Sequence, residues 1–256
     1  MTPGPVPEGY VEYAPPAALR EYVECFWTRG AAPAKAPHHV IPDGCIDLLF
    51  AYDSLADSDG PASALAIGTM TRPLSVGATE AAAYVGVRFW PGRALPFLGV
   101  PAAAITDIRV AIADLWRPRD RCLVDAQLTA LGGWRAPFER LLIARLGRAE
   151  RADRTVDAAV KAILRAGGNL SIAALAPALG VTRQHLARSF ARHVGVPPKM
   201  FARVARVRKV LAKARVASQV DWAALALDAG FYDQAHLAGE VREITGRTPT
   251  EWLAST

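Results

Sequence analysis

In the first half of the chain, the spacing of apolar residues changes every few positions, which indicates short strands joined by turns. Residues 46–50 form a largely apolar run after the turn residues Pro42-Asp43-Gly44, so they predict a buried strand. Residues 83–90 alternate between two faces, as in a strand with one buried side. Apolar residues at helical spacing predict helices over 17–27, 123–131 and 138–146. This half therefore predicts a β-rich domain with a few helices.

The second half has a helical pattern almost throughout and contains an internal repeat. Ala174-Leu175-Ala176 and Gly180 recur 50 residues later as Ala224-Leu225-Ala226 and Gly230. A His-Leu-Ala triplet at 185–187 and the following Gly195 recur at an offset of 51, as 236–238 and Gly246. Each copy combines a short helix, a glycine turn and a second helix, which is the pattern of a helix-turn-helix. The repeat therefore predicts two such units, called unit one and unit two below.

Unit one combines helix caps with outward residues of the kind that read DNA. The hydroxyls of Ser171 and Thr182 can cap its two helices, and Leu186 and Phe190 give the second helix an inward face. Arginine and glutamine can pair with guanine and adenine edges in the major groove. The outward residues of this kind are Arg183, Gln184, Arg188 and Arg192. A single helix over 199–215, about 22 Å long, is predicted to join the two units. It could hold both units against one face of a duplex, whose major grooves repeat about every 34 Å.

The charge of the chain is concentrated in unit one and the linking helix. The net charge is +6, but residues 1–150 carry −2 and residues 151–256 carry +8. Residues 181–215 hold ten basic side chains and no acidic one, whereas residues 216–256 hold two basic and six acidic ones. A basic patch of this density favours binding to nucleic acid over an incidental solvated face.

These motifs resemble the DNA-binding domain of AraC/XylS-type transcriptional regulators. The resemblance covers about residues 155–253 and includes Gly230-Phe231 through Gly246 and Pro249 in unit two. The first half resembles a domain often found with such regulators, for which no ligand is defined. The implied fold class is α+β: a β-rich, sensor-like domain over 1–146, a linker over 147–154 and an all-α DNA-binding domain over 155–256. The implied partners are double-stranded DNA and RNA polymerase, in the bacterial cytoplasm and with an activating role.

The resemblance also assigns DNA-binding residues in this chain. It places the first recognition helix on 182–193 and the second on 233–244. The residues expected at the DNA are Thr182, Arg183, Gln184, Arg188, Arg192, Tyr232, Asp233, Gln234 and His236. Unit two departs from the family pattern, because Gly239 stands where the repeat has Arg188. Glycine has no side chain that could contact DNA, and it weakens a helix. Unit one is therefore expected to dominate DNA binding.

Aromatic and charged residues of the first half suggest a small-molecule sensor. The candidate ligand residues are Trp27, His39, Tyr84, Arg88 and Trp90. Arg88, between Tyr84 and Trp90 on one strand face, could hold a carboxylate. The same aromatic residues also suit a hydrophobic core, and this half is equally suited to forming a homodimer.

An enzyme is the alternative function class. His38, His39, Asp43, Cys45 and Asp47 lie close together in the sequence and could form a metal-dependent or nucleophilic site. However, the chain has no phosphate loop, nucleophile elbow or paired metal-ligand motif. Three separated cysteines argue against a disulfide framework and a four-cysteine zinc site. We therefore expect no catalytic residues, no cofactor, no metal and no membrane segment.

Overall fold

A six-stranded antiparallel sheet organises the first half of the chain. The computed structural model describes residues 9–30, 38–52, 61–76, 83–116, 133–147 and 152–254. The strand order in the main sheet is β1-β2-β7-β4-β5-β8, and β3 and β6 form a separate two-stranded sheet. The strands are β1 (Gly9–Tyr13), β2 (Val23–Gly30), β3 (His38–Val40), β4 (Ile46–Tyr52), β5 (Ser63–Ile67), β6 (Leu74–Val76), β7 (Ala83–Phe89) and β8 (Arg109–Ala111).

One face of the main sheet packs against helices and forms the core of this half. These helices are α1 (Leu95–Leu98), α2 (Ile112–Leu115) and α3 (Arg135–Leu146). Phe50 of β4 and Phe138 of α3 meet edge to face with their ring centroids 4.9 Å apart. On β7, the alternate residues Ala83, Val85, Val87 and Phe89 are fully buried on this face. The strands predicted at 46–50 and 83–90 and the helix predicted at 138–146 are thus confirmed.

The helix predicted over 17–27 is wrong. Ala17–Leu19 form a 3-10 turn, and residues from Val23 onward form β2, which pairs with both β1 and β7. Six of the eight residues of β2 are buried, on both faces of the strand, so its apolar residues are not confined to alternate positions. Val23, Phe26 and Trp27 consequently produced a spacing that also fits one side of a helix. The helix predicted over 123–131 lies outside the described residues.

The second half consists of helices, several of which begin at a capping side chain, including the predicted caps Ser171 and Thr182. The helices are α4 (Arg154–Arg165), α5 (Ile172–Ala178), α6 (Arg183–His193), α7 (Pro198–Val216), α8 (Trp222–Asp228), α9 (Gln234–Thr245) and α10 (Pro249–Ala254). The side chains of Ser171, Thr182 and Asp233 accept hydrogen bonds from backbone N–H groups at the starts of α5, α6 and α9. Unit one is therefore α5 and α6, and unit two is α8 and α9.

The linking helix α7 contributes to two hydrophobic cores. Phe201, Ala202 and Ala205 pack in a core with α4, α5 and α6. Val204 and Val207, on the same helix, pack in a second core with α8 and α9. The joining helix is thus an integral part of both units. Within the described ranges, no helix is long and apolar enough to cross a membrane.

Candidate nucleic-acid interface

Helix α6 presents one face to the interior and the other to solvent. Leu186 and Phe190 are buried, and the Phe190 ring meets Phe201 of α7 with centroids 6.0 Å apart. Thr182 Oγ1 accepts a hydrogen bond from the His185 N–H at 3.1 Å and begins the helix. Because this packing fixes the rotation of α6, the remaining face is exposed. It carries Thr182, Arg183, Gln184, Arg188 and Arg192.

The two arginines nearest the start of this face are available to a ligand. No described side chain forms a hydrogen bond or an ion pair with Arg183 or Arg188. A guanidinium carries five donors in a planar fork that matches phosphate oxygens and the guanine edge. An exposed helix with these side chains has the shape and chemistry required to enter a major groove.

Three arginines of α7 contact other parts of the chain. Arg203 Nε lies 2.9 Å from Glu240 Oε2 of α9, and its Nη2 lies 2.6 Å from Glu243. The guanidinium of Arg206 lies 4.4 Å from the centre of the Phe231 ring. Arg208 donates to the backbone carbonyl of Asp43 at 3.3 Å. Part of the basic run is therefore engaged within the chain, whereas Lys199 and Arg215 of α7 are exposed, as are Arg183 and Arg188 of α6.

Unit two offers fewer side chains for base recognition. Tyr232 is 86% exposed, and Gln234 is exposed beside it. Asp233 and His236 take part in the start of α9: Asp233 Oδ1 accepts from the His236 N–H at 2.7 Å, and His236 Nδ1 accepts from the Tyr232 N–H at 3.3 Å. Gly239, exposed in the middle of α9, offers no side chain for base recognition. A Cβ atom added there would have no neighbour within 4 Å.

The candidate ligand residues of the first half are only partly brought together. Trp27 packs directly against Gly86, where an added Cβ would come within 2.4 Å of the indole. Its Nε1 donates to Asp47 at 2.9 Å. Pairing of β2 with β7 places Trp27, Tyr84 and Arg88 on the sheet face opposite the core. Trp90 lies beyond the end of β7 and is 41% exposed. The side chain of His39 is outside the described atoms.

Arg88 is held by two carboxylates of the chain itself. Its Nε lies 3.4 Å from Asp47 Oδ1 and 3.6 Å from Asp43 Oδ2. Burial and the nearby Asp43 raise the pKa of Asp47 to about 6, against the opposing effects of Arg88 and Trp27. Burial alone would lower the pKa of Arg88, but the charges of Asp47 and Asp43 outweigh this effect and raise the pKa above its usual value. A ligand carboxylate would have to compete with both side chains for this guanidinium.

The region considered for an enzyme has the properties of a structural turn. Asp43 Oδ1 accepts a hydrogen bond from the Cys45 N–H at 2.8 Å, as in an Asx turn. Burial, followed by the charges of Asp43 and Glu24, raises the pKa of the Cys45 thiol well above its usual value. A protonated thiol is a poor nucleophile. The described part of the chain also contains no group of three side chains that could hold a metal ion.

The two halves are connected by residues for which the sequence analysis predicted no contact between the halves. Arg93 of the sheet domain pairs with Asp157 of α4, and Gly44 lies directly against the Phe201 ring of α7. Thr69 and Thr106 donate to backbone carbonyls at the end of α6. Single threonines and glycines outside any periodic pattern carry no sequence signal for contacts with a distant part of the chain.

Two family models match separate parts of the chain. A model described as a helix-turn-helix domain matches residues 175–255, and a domain of unknown function (DUF6597) matches residues 11–111. No curated protein matches the chain significantly.

Several solved structures resemble the chain. One is a transcriptional regulator with an AraC-type DNA-binding domain from Chromobacterium violaceum, at 24% identity, covering 40% of this chain and 90% of that one, with a TM-score of 0.37. ToxT from Vibrio cholerae matches at 11% identity over 90% of this chain and 98% of its own, with a TM-score of 0.44. An unsaturated fatty acid-bound ToxT from the same organism matches at 12% identity over 85% and 89%, with a TM-score of 0.39.

Proposed function

We propose that this chain, an AraC-type helix-turn-helix regulator by its residues 175–255, binds double-stranded DNA mainly through α6 of unit one. The supporting observation is the solvent-exposed face of α6, where Arg183 and Arg188 have no described partner within the chain. The matching position of α9 is Gly239, and the acidic side chains of α9 nearest to it are paired with Arg203. Unit two then contributes through Tyr232 and Gln234 and through backbone contacts to phosphates.

The larger contribution of unit one to DNA affinity can be tested by removing one candidate base-contacting side chain from each unit. The full chain is titrated with an operator obtained by randomised-site selection, at fixed salt. Arg188→Ala should weaken binding by about 1–3 kcal/mol, as for an arginine that reads a base. Gln234→Ala should weaken it less. Lys161→Ala is a control, because it removes a positive charge from α4, where Lys161 pairs with Asp157. An equal or larger loss from Gln234→Ala would reject the ranking.

The salt dependence of binding separates phosphate contacts from other contributions. Each phosphate neutralised by an arginine or lysine releases counterions, so affinity falls as salt rises. We expect a steep dependence for the wild-type chain and a shallower one for Arg183→Ala if this side chain contacts phosphate. A salt-independent affinity would argue against DNA as the ligand of this face.

We also propose that the sheet domain binds a small polar molecule beside Trp27 and Arg88. The support is a half-buried group of charges, Glu24, Asp43, Asp47 and Arg88, that the adjoining hydrophobic core does not require. Groups of this kind are costly to bury and are frequent in binding sites. Thermal unfolding of the full chain with a broad metabolite set tests this proposal. A ligand should raise the midpoint of the wild type and not of Arg88→Ala, and no shift with any compound would count against a sensor.

A further inference from the structure

Two glycines that are equivalent in the internal repeat follow the two recognition helices. Gly195 follows α6 and Gly246 follows α9, at an offset of 51 residues. Their φ angles are 94° and 74°, a region that favours glycine. Each glycine therefore marks the end of a recognition helix, and the two mark corresponding points in the two units.

A single segment of the sheet domain contacts both glycines. This segment, residues 68–73, connects β5 to β6. Thr69 Oγ1 donates to the carbonyl of Val194, and a Cβ on Gly195 would lie 3.2 Å from Thr69. At the other end of the segment, a Cβ on Gly246 would lie 3.1 Å from Pro73 Cγ. Four residue steps span at most about 14 Å, so the segment connects the two helix ends over a short distance.

The 68–73 segment is itself anchored to the sheet domain. Asp107 accepts hydrogen bonds from the backbone N–H and the hydroxyl of Thr71, at 2.6 and 2.7 Å. Its own N–H donates to the Thr69 carbonyl at 3.1 Å. In the same turn, Thr106 Oγ1 donates to the Gly195 carbonyl at 2.7 Å. Among the described residues, Asp107 alone adopts a positive φ without being glycine, at 59°. The two threonines that contact unit one, Thr69 and Thr106, therefore belong to one anchored structure.

We propose that the 68–73 segment is a positioning element for DNA recognition, which sets the separation and relative angle of α6 and α9. The inference rests on the proposed function and deepens it. The segment holds the C-terminal ends of the recognition helices, whereas the exposed polar residues of α6 begin at its N-terminal end. The contact therefore leaves the reading face open, so the docked arrangement is competent to bind. Thr69, Thr106 and Pro73 act through the helices and touch no DNA.

A fixed pair of recognition helices should be sensitive to the spacing of its two half-sites. One inserted base pair moves a half-site by about 3.4 Å along the duplex and rotates it by about one tenth of a turn. A rigid pair cannot follow this change without losing contacts of one helix. A pair that is free to adjust can follow it. Spacing selectivity, the ratio of affinities for the selected operator and for one lengthened by one base pair between its half-sites, thus reports on the segment.

The first experiment measures this ratio in the full chain. The variant Thr69→Val/Thr106→Val removes both hydroxyl contacts to unit one. Thr28→Val is the control, because its hydroxyl lies 3.3 Å from that of Tyr13 within the main sheet and away from the 68–73 segment. We expect a selectivity of about tenfold or more for the wild type and the control, and under about threefold for the double variant. Pro73→Ala, which removes only the ring contact to Gly246, should give an intermediate value. Equal selectivity in all four proteins would overturn the proposal.

A second experiment measures the geometry without DNA. Spin labels are attached through Ala187→Cys on α6 and Ala235→Cys on α9, both exposed positions, with Cys122 replaced by serine. The distance distribution should be narrow in the wild type and in Thr28→Val, and broader in Thr69→Val/Thr106→Val and Pro73→Ala. Identical distributions would overturn the proposal even if DNA binding is confirmed. If no operator is selected, the proposed function fails, while this measurement still tests the positioning role.

Discussion

Replacing Gly239 tests whether unit two lacks only a side chain at the DNA. Gly239 lies in the middle of α9, is exposed, and has no atom within 4 Å of an added Cβ. Gly239→Ala should therefore stabilise the chain by about 1 kcal/mol, the difference in helix propensity, without a clash. Gly239→Arg should give a similar gain and also place a guanidinium at the position that corresponds to Arg188 of unit one.

The added arginine should strengthen DNA binding. Glu243, four residues further along α9, is already bound by Arg203 at 2.6 Å, which leaves the new guanidinium available to DNA. A base-reading arginine contributes about 1–3 kcal/mol, a roughly 5- to 150-fold gain in affinity. A contact to phosphate would instead raise the salt slope by about one unit.

Two assays separate these effects. Urea unfolding gives the stability of the wild type, Gly239→Ala and Gly239→Arg, and titration with the selected operator at several salt concentrations gives their affinities. Gly239→Ala is the matched control, since it changes the helix without adding charge. If Gly239→Arg binds no more tightly than Gly239→Ala, α9 does not face the DNA as proposed.

Three further predictions follow from buried or paired groups. Burial raises the pKa of Asp47 from 3.8 to about 6, so its contribution to stability is present below pH 4 and is lost as the pH rises through 6. Asp47→Asn should therefore gain about 3 kcal/mol relative to the wild type between pH 4 and 7, measured by urea unfolding at each pH; a pH-independent difference would contradict this. The buried Cys45 thiol, whose pKa is raised, should resist iodoacetamide in the native chain at pH 8, as measured by mass spectrometry, and native-state alkylation would show that the site opens. Arg203→Ala leaves Glu240 without its bound cation and should destabilise unit two by about 2 kcal/mol. Lys213→Ala, which breaks an exposed pair, should cost much less; equal losses would show that the inner pair contributes no more than the exposed one.

The parts of the fold that the sequence predicted correctly depend on local interactions. The caps Ser171 and Thr182 act on backbone groups three residues away, so their roles are readable from neighbouring residues. The strand at 83–89 was readable because one of its faces is buried continuously. The stretch 17–27 was misassigned because the extended conformation of β2 depends on its pairing with β7, which lies far away in the sequence.

The candidate site shows the same division. The sequence identified the exposed residues of α6, since helical spacing alone separates them from Leu186 and Phe190. It could not show that Arg203 binds Glu240, 37 residues away, or that Arg208 binds Asp43, 165 residues away. Counting charges along a chain measures how many are present, whereas pairing across the fold determines how many remain available.

The sharing of α7 between two cores has a consequence for how the repeat can be divided. Along one helix, Phe201 and Ala202 belong to the core of unit one, and Val204 and Val207 belong to that of unit two. A fragment that ends after α7 would expose the second set to water and be prone to aggregate. The two units should therefore unfold in a single cooperative transition. The two copies of the repeat are, through this helix, one folding unit.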